Sequence, residues 1–215
     1  GYELPHLTVL GQYLRQMDVT SEELTAEERA LVHKLQVYAD LVSSGSVDLL
    51  ALGDGPRGRD TLDNAITAAL LIGLGADPAR LMANIVARGR QANQIRGRLL
   101  HFAELGVRNA LLLTGDLPLP LVRDSNLAPA RPAPFPPDSV GMCALARKML
   151  YEGALPDDFW IAAAGHPNPD ADPDGLRTLQ KALAGAKVII TQAIYSVEQF
   201  TQWMQALHRL GALDQ

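Results

Sequence analysis

The chain has 215 residues, 47% of them hydrophobic and 20% charged, which is enough apolar material for a sizeable core and shows none of the bias of a disordered or fibrous chain. Its formal net charge of −5 is spread along the sequence, which speaks against nucleic acid or an anionic membrane as the main partner. A single cysteine, Cys143, excludes an internal disulfide framework and a cysteine-rich metal site and suits the cytoplasm, and no apolar run has the length of a membrane span.

The N-terminal stretch "GYELPHLTVL" has neither the basic start nor the apolar core of a signal peptide, and its lack of an initiator methionine fits a trimmed or incomplete chain. The next stretch, "TSEELTAEERALVHKLQVYADLVSSG", predicts one long amphipathic helix, opened by Thr20 or Ser21 with Glu23 close behind as a capping box. From residue 47 the pattern alternates regularly. Short unbroken apolar runs at "VDLLAL" (47–52), "LMANIV" (81–86), "NALLLTG" (109–115), "FWIAAAG" (159–165) and "KVIITQ" (187–192) read as strands buried on both faces of a parallel sheet. Segments of helical period fill the gaps, at 60–74, 89–105, 138–152, 174–185 and 196–210. In "DPDGLRTLQKALAGAK" an Asp stands where an N-cap belongs and Gly185 where the helix should stop. Repeated βαβ units of this kind predict an α/β fold, either a (β/α) barrel or an open doubly wound sheet. Residues 117–137, "LPLPLVRDSNLAPARPAPFPP", are too rich in proline for helix or inner strand and predict a long loop, either a surface insertion or a lid over whatever Asp116 faces.

Such folds carry their sites at the carboxyl ends of the strands, so the polar residues there matter most. They are Asp54, Asn84, Thr114 with Asp116, His166, and Thr191 with Gln192. Each has a plain structural explanation as well, Asp54-Gly55-Pro56 being a good turn and His166-Pro167-Asn168-Pro169 a good loop, yet five polar ends together predict a polar pocket. Several chemistries find no motif. His166, Asp170 and Asp172 lie close together without a second histidine at ligand spacing, and there is no G-x-G-x-x-G, no G-x-S-x-G and no Walker loop.

Taken together, "GVRNALLLTGDLP", "DDFWIAAAGHPNP" and "LRTLQKALAGAKVIITQAIYSVEQF" resemble the methylenetetrahydrofolate reductase family, over about residues 47–210. The family's strand ending in T-G-D-L-P, its later A-A strand and its K-x-x-A-G-A…T-Q block all have counterparts, and the threonine before Gly-Asp is closer to the branch with an L-T-G-D motif. The resemblance implies a parallel (β/α)8 TIM-type barrel, here one domain over 1–215 with about six of the eight strands, hence a divergent or incomplete member. It implies FAD as cofactor, a tetrahydrofolate derivative as substrate, and NAD(P)H or another electron carrier as donor. By the same resemblance, Asp116 would sit beside the flavin and the folate nitrogens and stabilise cationic folate, and Glu3 in "YELPH" would be the proton donor. Gly115 would let the backbone approach the flavin, Lys181 and Asp174 would reach its polar parts, and Ala163 and Ala164 would lie against the ring. Asn84 stands where many members have a flavin-contacting histidine, Gly53 where they have threonine, and Thr114 where they have arginine; His166 opens a shorter loop at the cofactor site. Gln192 would hydrogen-bond the pterin and Tyr195 border it. The implied activity is flavin-dependent reduction of 5,10-methylenetetrahydrofolate in one-carbon metabolism and methionine biosynthesis. The alternatives are a reductase-like subunit that binds flavin or folate without turnover, alone as a homo-oligomer or with a partner subunit, and a pterin-dependent methyltransferase that needs no flavin.

Overall fold

The computed structural model describes residues 24–55, 62–115, 138–167, 172 and 174–212. Glu3, Asp116, the 117–137 loop and the Thr20, Ser21 and Glu23 cap lie outside the described residues. The elements run α1 (Ala26–Ser43), β1 (Leu50–Leu52), α2 (Asn64–Gly73), β2 (Leu81–Val86), α3 (Ala92–Glu104), β3 (Asn109–Leu113), α4 (Ser139–Tyr151), β4 (Trp160–Gly165), α5 (Leu176–Leu183), β5 (Val188–Thr191) and α6 (Val197–Arg209). All five strands are parallel and lie in the order β1-β2-β3-β4-β5, curled into a half-barrel. A doubly wound sheet would reverse its order midway. Here each strand pairs with the next in sequence, so the units are consecutive staves of a TIM-type barrel, incomplete over the described residues.

The alternation of side chains along each strand divides the sheet into two faces. Leu81, Ala83 and Ile85 of β2, Ala110 and Leu112 of β3, and Ile161 and Ala163 of β4 face the helices. There they meet Leu71 of α2, Ile95, Leu99 and Phe102 of α3, and Met142, Cys143, Ala146 and Met149 of α4 in one continuous core. The opposite face is the barrel lumen. It holds a small cluster of Met82, Leu111 and Ala162, with Leu113 and Ile190 at its border.

Local chemistry explains the element ends. Helix α1 starts with a capping box, Glu28 N–H donating to Thr25 Oγ1 at 3.2 Å and Thr25 N–H to Glu28 Oε2 at 2.8 Å. "TSEE" and "TAEE" carry the same S/T-x-x-E signal, and the described helix uses the second one, five residues after Thr20. Asp63, Asp138 and Ser196 cap α2, α4 and α6 through N–H groups of Ala65, Gly141 and Gln199. At their far ends, Gly75, Gly106, Gly153, Gly185 and Gly211 all have positive φ, and the residue after each donates back to the helix, as Ala186 N–H does to the Lys181 carbonyl at 3.0 Å. This repeated left-handed stop ends α2 to α6, and after α2 to α5 it returns the chain to the sheet.

Candidate active site

At the β1–β2 corner the strand ends are tied by a network of charge and amide. Asp54, read from sequence as a turn residue, accepts the Val86 N–H at 3.0 Å and pairs with both terminal nitrogens of Arg90, Nη2 at 2.9 Å. Arg90 also donates to the Val86 carbonyl at 2.7 Å, so the pair clamps the last residue of β2. Behind it, Arg98 donates to Asp63 Oδ2 at 2.8 Å and to Asn64 Oδ1, with Asp54 Oδ1 at 3.9 Å. Burial works to raise the Asp63 carboxyl, but the bond from Arg98 and the Ala65 N–H outweigh it and hold it below its ordinary value. The Asn64 amide then bridges two strands, its Nδ2 donating to the Leu52 carbonyl at 3.1 Å and the Asn84 carbonyl at 2.7 Å. Asn84 itself stands two residues after Met82 on β2, on the lumen face, and among the described residues no donor reaches its buried Oδ1.

The β3 end is set against this corner. Thr114 is exposed and its carbonyl accepts the Arg88 N–H at 3.0 Å, while Ala87 N–H reaches the Leu113 carbonyl at 2.8 Å. Gly115 has φ +89, and a Cβ there would overlap Val86 Cγ1 and come within 3.5 Å of Arg88 Cβ. The glycine is therefore required by the fold, through its backbone conformation and its contact with Val86. Asp116 is the next residue in the chain.

On β4 the two alanines part company. Ala163 has no exposed surface and belongs to the helix-side core, so its methyl group is turned from the lumen; the sequence expectation that it lies against a flavin ring is corrected in that respect. Ala164 follows Ala162 on the lumen face. Its carbonyl accepts from Lys181 Nζ at 2.6 Å, which brings the α5 lysine to the end of β4. Lys181 is buried, and burial, with the Arg177 charge, holds its pKa below the ordinary lysine value against the opposing pull of Asp172. Asp174, expected to contact the cofactor, is exposed. Its neighbour Asp172 is the buried acid, accepting the Arg177 N–H at 3.0 Å, the Thr178 N–H at 3.2 Å, the Thr178 hydroxyl at 2.6 Å and Trp203 Nε1–H at 3.4 Å. It caps the start of α5 and ties it to α6. His166 is exposed just past Gly165, itself packed against Ile189 and Trp203.

The last stave contributes Gln192, whose N–H donates to the Gly165 carbonyl at 3.0 Å and whose side chain is exposed, and Tyr195, 96% exposed. The fold thus gathers Asn84, Thr114, Gly115, Ala164, His166 and Gln192 at one end of the sheet, with Lys181 joined to Ala164 from behind. Sequence reasoning missed Asn64, Arg90, Arg98 and the capping role of Asp172. Their signal is pairwise: Asp54 gains meaning from Arg90, 36 residues on, and no local pattern carries that. Among the described residues no cluster of three or more histidine, cysteine or acidic groups could hold a metal ion, and no helix is long and apolar enough to cross a membrane.

A parallel half-barrel whose polar groups collect at the carboxyl ends of its staves defines a TIM-type α/β protein, with the candidate site at the barrel mouth. None of the curated proteins compared with the chain matches it. The sequence model of the methylenetetrahydrofolate reductase family does, over residues 54–214, about three-quarters of the chain. The chain belongs to the methylenetetrahydrofolate reductase family. Membership implies an oxidoreductase with a folate substrate, in a family whose members are generally flavin-dependent.

Proposed function

We propose that the protein is a cytoplasmic enzyme that reduces 5,10-methylenetetrahydrofolate to 5-methyltetrahydrofolate with FAD as cofactor and NAD(P)H or another electron carrier as donor. The observation that carries the reading is the lumen-facing series at the strand ends: an acceptor-bearing Asn84, the glycine-bounded end of β3, and a small Ala164 beside a buried lysine. These residues fit a flavin. The Asn84 oxygen offers an acceptor to a ring or side-chain donor, Ala164 leaves a flat apolar surface, and the Lys181 ammonium has donors beyond the one spent on the Ala164 carbonyl. A bound flavin would supply the hydride.

The chain's own groups would do the rest. As the methylene bridge of the folate opens to an iminium, positive charge develops on the substrate. A carboxylate next to Gly115, at Asp116, would stabilise that charge more strongly in a desolvated mouth than water does. Gln192, with a donor and an acceptor on one amide, suits the pterin edge, and its side chain is exposed at the end of β5. Tyr195 would border the same substrate, and Glu3 would deliver the proton to the folate nitrogen.

The test is Asp116→Asn, which keeps size and removes charge. Folate reduction should fall by about 100-fold or more, while flavin reduction by the donor, which does not involve the folate cation, should fall far less. Equal loss in both half-reactions would leave Asp116 as a flavin holder. No loss in either would remove it from the reaction.

A further inference from the structure

The β1–β2 ladder ends at Leu52↔Ala83, so the carbonyl of the next residue, Asn84, lies beyond the last pair and has no β1 backbone donor. Asn64, only 2% exposed at the start of α2, takes the place of that donor: one Nδ2 serves the Asn84 carbonyl at 2.7 Å and the Leu52 carbonyl at 3.1 Å. The orientation of this amide is fixed by chemistry. Its oxygen faces Arg98, which can only donate, and its nitrogen faces two carbonyls, which can only accept. Arg98 is in turn held by Asp63 at 2.8 Å. The chain of bonds converges on the Asn84 peptide, and among the described residues two buried side-chain atoms lack a partner, Arg98 Nε within this network and the Oδ1 of the Asn84 side chain at its end. A buried acceptor without a donor is costly, and such groups persist where something else completes them.

We propose that Asn64 is a positioning residue for the site: by anchoring the Asn84 peptide it presents the Asn84 amide oxygen to the lumen as an acceptor for a ligand N–H or O–H. The ligand class rests on the flavin reading above; the anchoring does not. Held this way, the acceptor is preorganised, and binding spends little on ordering it.

The experiment uses the full chain in four forms: wild type, Asn64→Ser, Asn84→Ala and the double variant. The Asn84 side-chain amide signals, assigned by their loss in Asn84→Ala, report the anchoring directly. In Asn64→Ser they should broaden or shift, and unchanged signals would overturn the proposal. FAD titration then reads the coupling. Each single substitution should weaken binding by about tenfold, the loss of roughly one hydrogen bond, and the double variant should be no weaker than Asn84→Ala. Penalties that multiply would mean that Asn64 acts on binding independently of Asn84, which also contradicts the proposal. A wild-type chain that takes up no FAD would remove the flavin reading, while the amide signals still decide the anchoring. Should Asn64→Ser fail to fold, Arg98→Lys takes its place, with the same signals expected to move.

Discussion

Ala163 and Ala164 are neighbours in sequence and opposites in environment, so enlarging each asks a different question. Ala163 has no exposed surface among Ile161, Leu112 and the helices. Ala163→Leu overpacks that core and should lower stability by about 1–3 kcal/mol in a denaturant titration, with the lumen spared. Ala164→Leu projects into the lumen and should keep the unfolding midpoint nearly unchanged while abolishing flavin uptake, read from the absorbance of the reconstituted protein. Cys143 offers a pH test of the same core. Burial pushes its thiol up from an ordinary 9.0 to about 11, with the Lys181 charge opposing and Asp138 adding to the rise. The unfolded chain therefore ionises first, and the group's contribution to stability, complete below pH 9, is lost as pH rises toward 11, by on the order of 2–3 kcal/mol. Lys181 works in the other direction, since its depressed pKa lets the folded state shed the buried charge before the unfolded one does. Cys143→Ala should accordingly flatten or reverse the alkaline fall in stability, measured by chemical denaturation across pH 8 to 11. An unaltered alkaline profile in the variant would place the titration elsewhere.

At the scale of elements, the end of β3 shows how one strand's geometry depends on another's. Asp54 and Arg90 fix Val86, and Val86 lies where a side chain at residue 115 would go. Gly115→Ala should cost about 1–3 kcal/mol whether or not any ligand is present, from the left-handed backbone and the overlap together. Adding Val86→Ala should recover the packing part and leave the conformational part, and a double variant no more stable than Gly115→Ala would show that Val86 plays no role. A bulky residue at 115 consequently reports on folding first and on ligand access second. The elements themselves were legible because apolar runs and helical periods alternate from residue 47 onward, and all five predicted strands are present. Their ends were less so. The stretch 109–115 leaves the ladder after Leu113, since Gly115 turns left-handed, and 47–52 keeps only Leu50–Leu52, the residues with partners in β2. The described helix α1 is capped by Thr25, the second of two S/T-x-x-E signals that stand side by side in the sequence.

At the scale of the molecule, sequential parallel staves explain why residues as distant as Asn84 and Gln192 share one end of the sheet. That convergence was readable from the strand ends alone. What was not readable is the layer beneath them, because Asn64, Arg98 and Asp172 act through bonds spanning up to 35 residues that leave no periodic trace. Face assignment also escaped composition, since "AAA" on β4 gives no hint of which methyl looks inward until its register with β5 is known. The lumen of the half-barrel is lined by apolar side chains below, Met82, Leu111 and Ala162 with Leu113 and Ile190, and by polar ends above, an arrangement that suits a partly polar ligand. If this mouth brings reduced flavin and folate together, electrons must pass from one to the other on the protein. The direct measurement is anaerobic: load the purified chain with FAD, reduce it, mix it with 5,10-methylenetetrahydrofolate, and follow the visible flavin absorbance and the folate product. The oxidised flavin band should return, with one 5-methyltetrahydrofolate formed per flavin. A chain that binds FAD yet leaves it reduced in the presence of the folate, with no product formed, would contradict the proposed reaction.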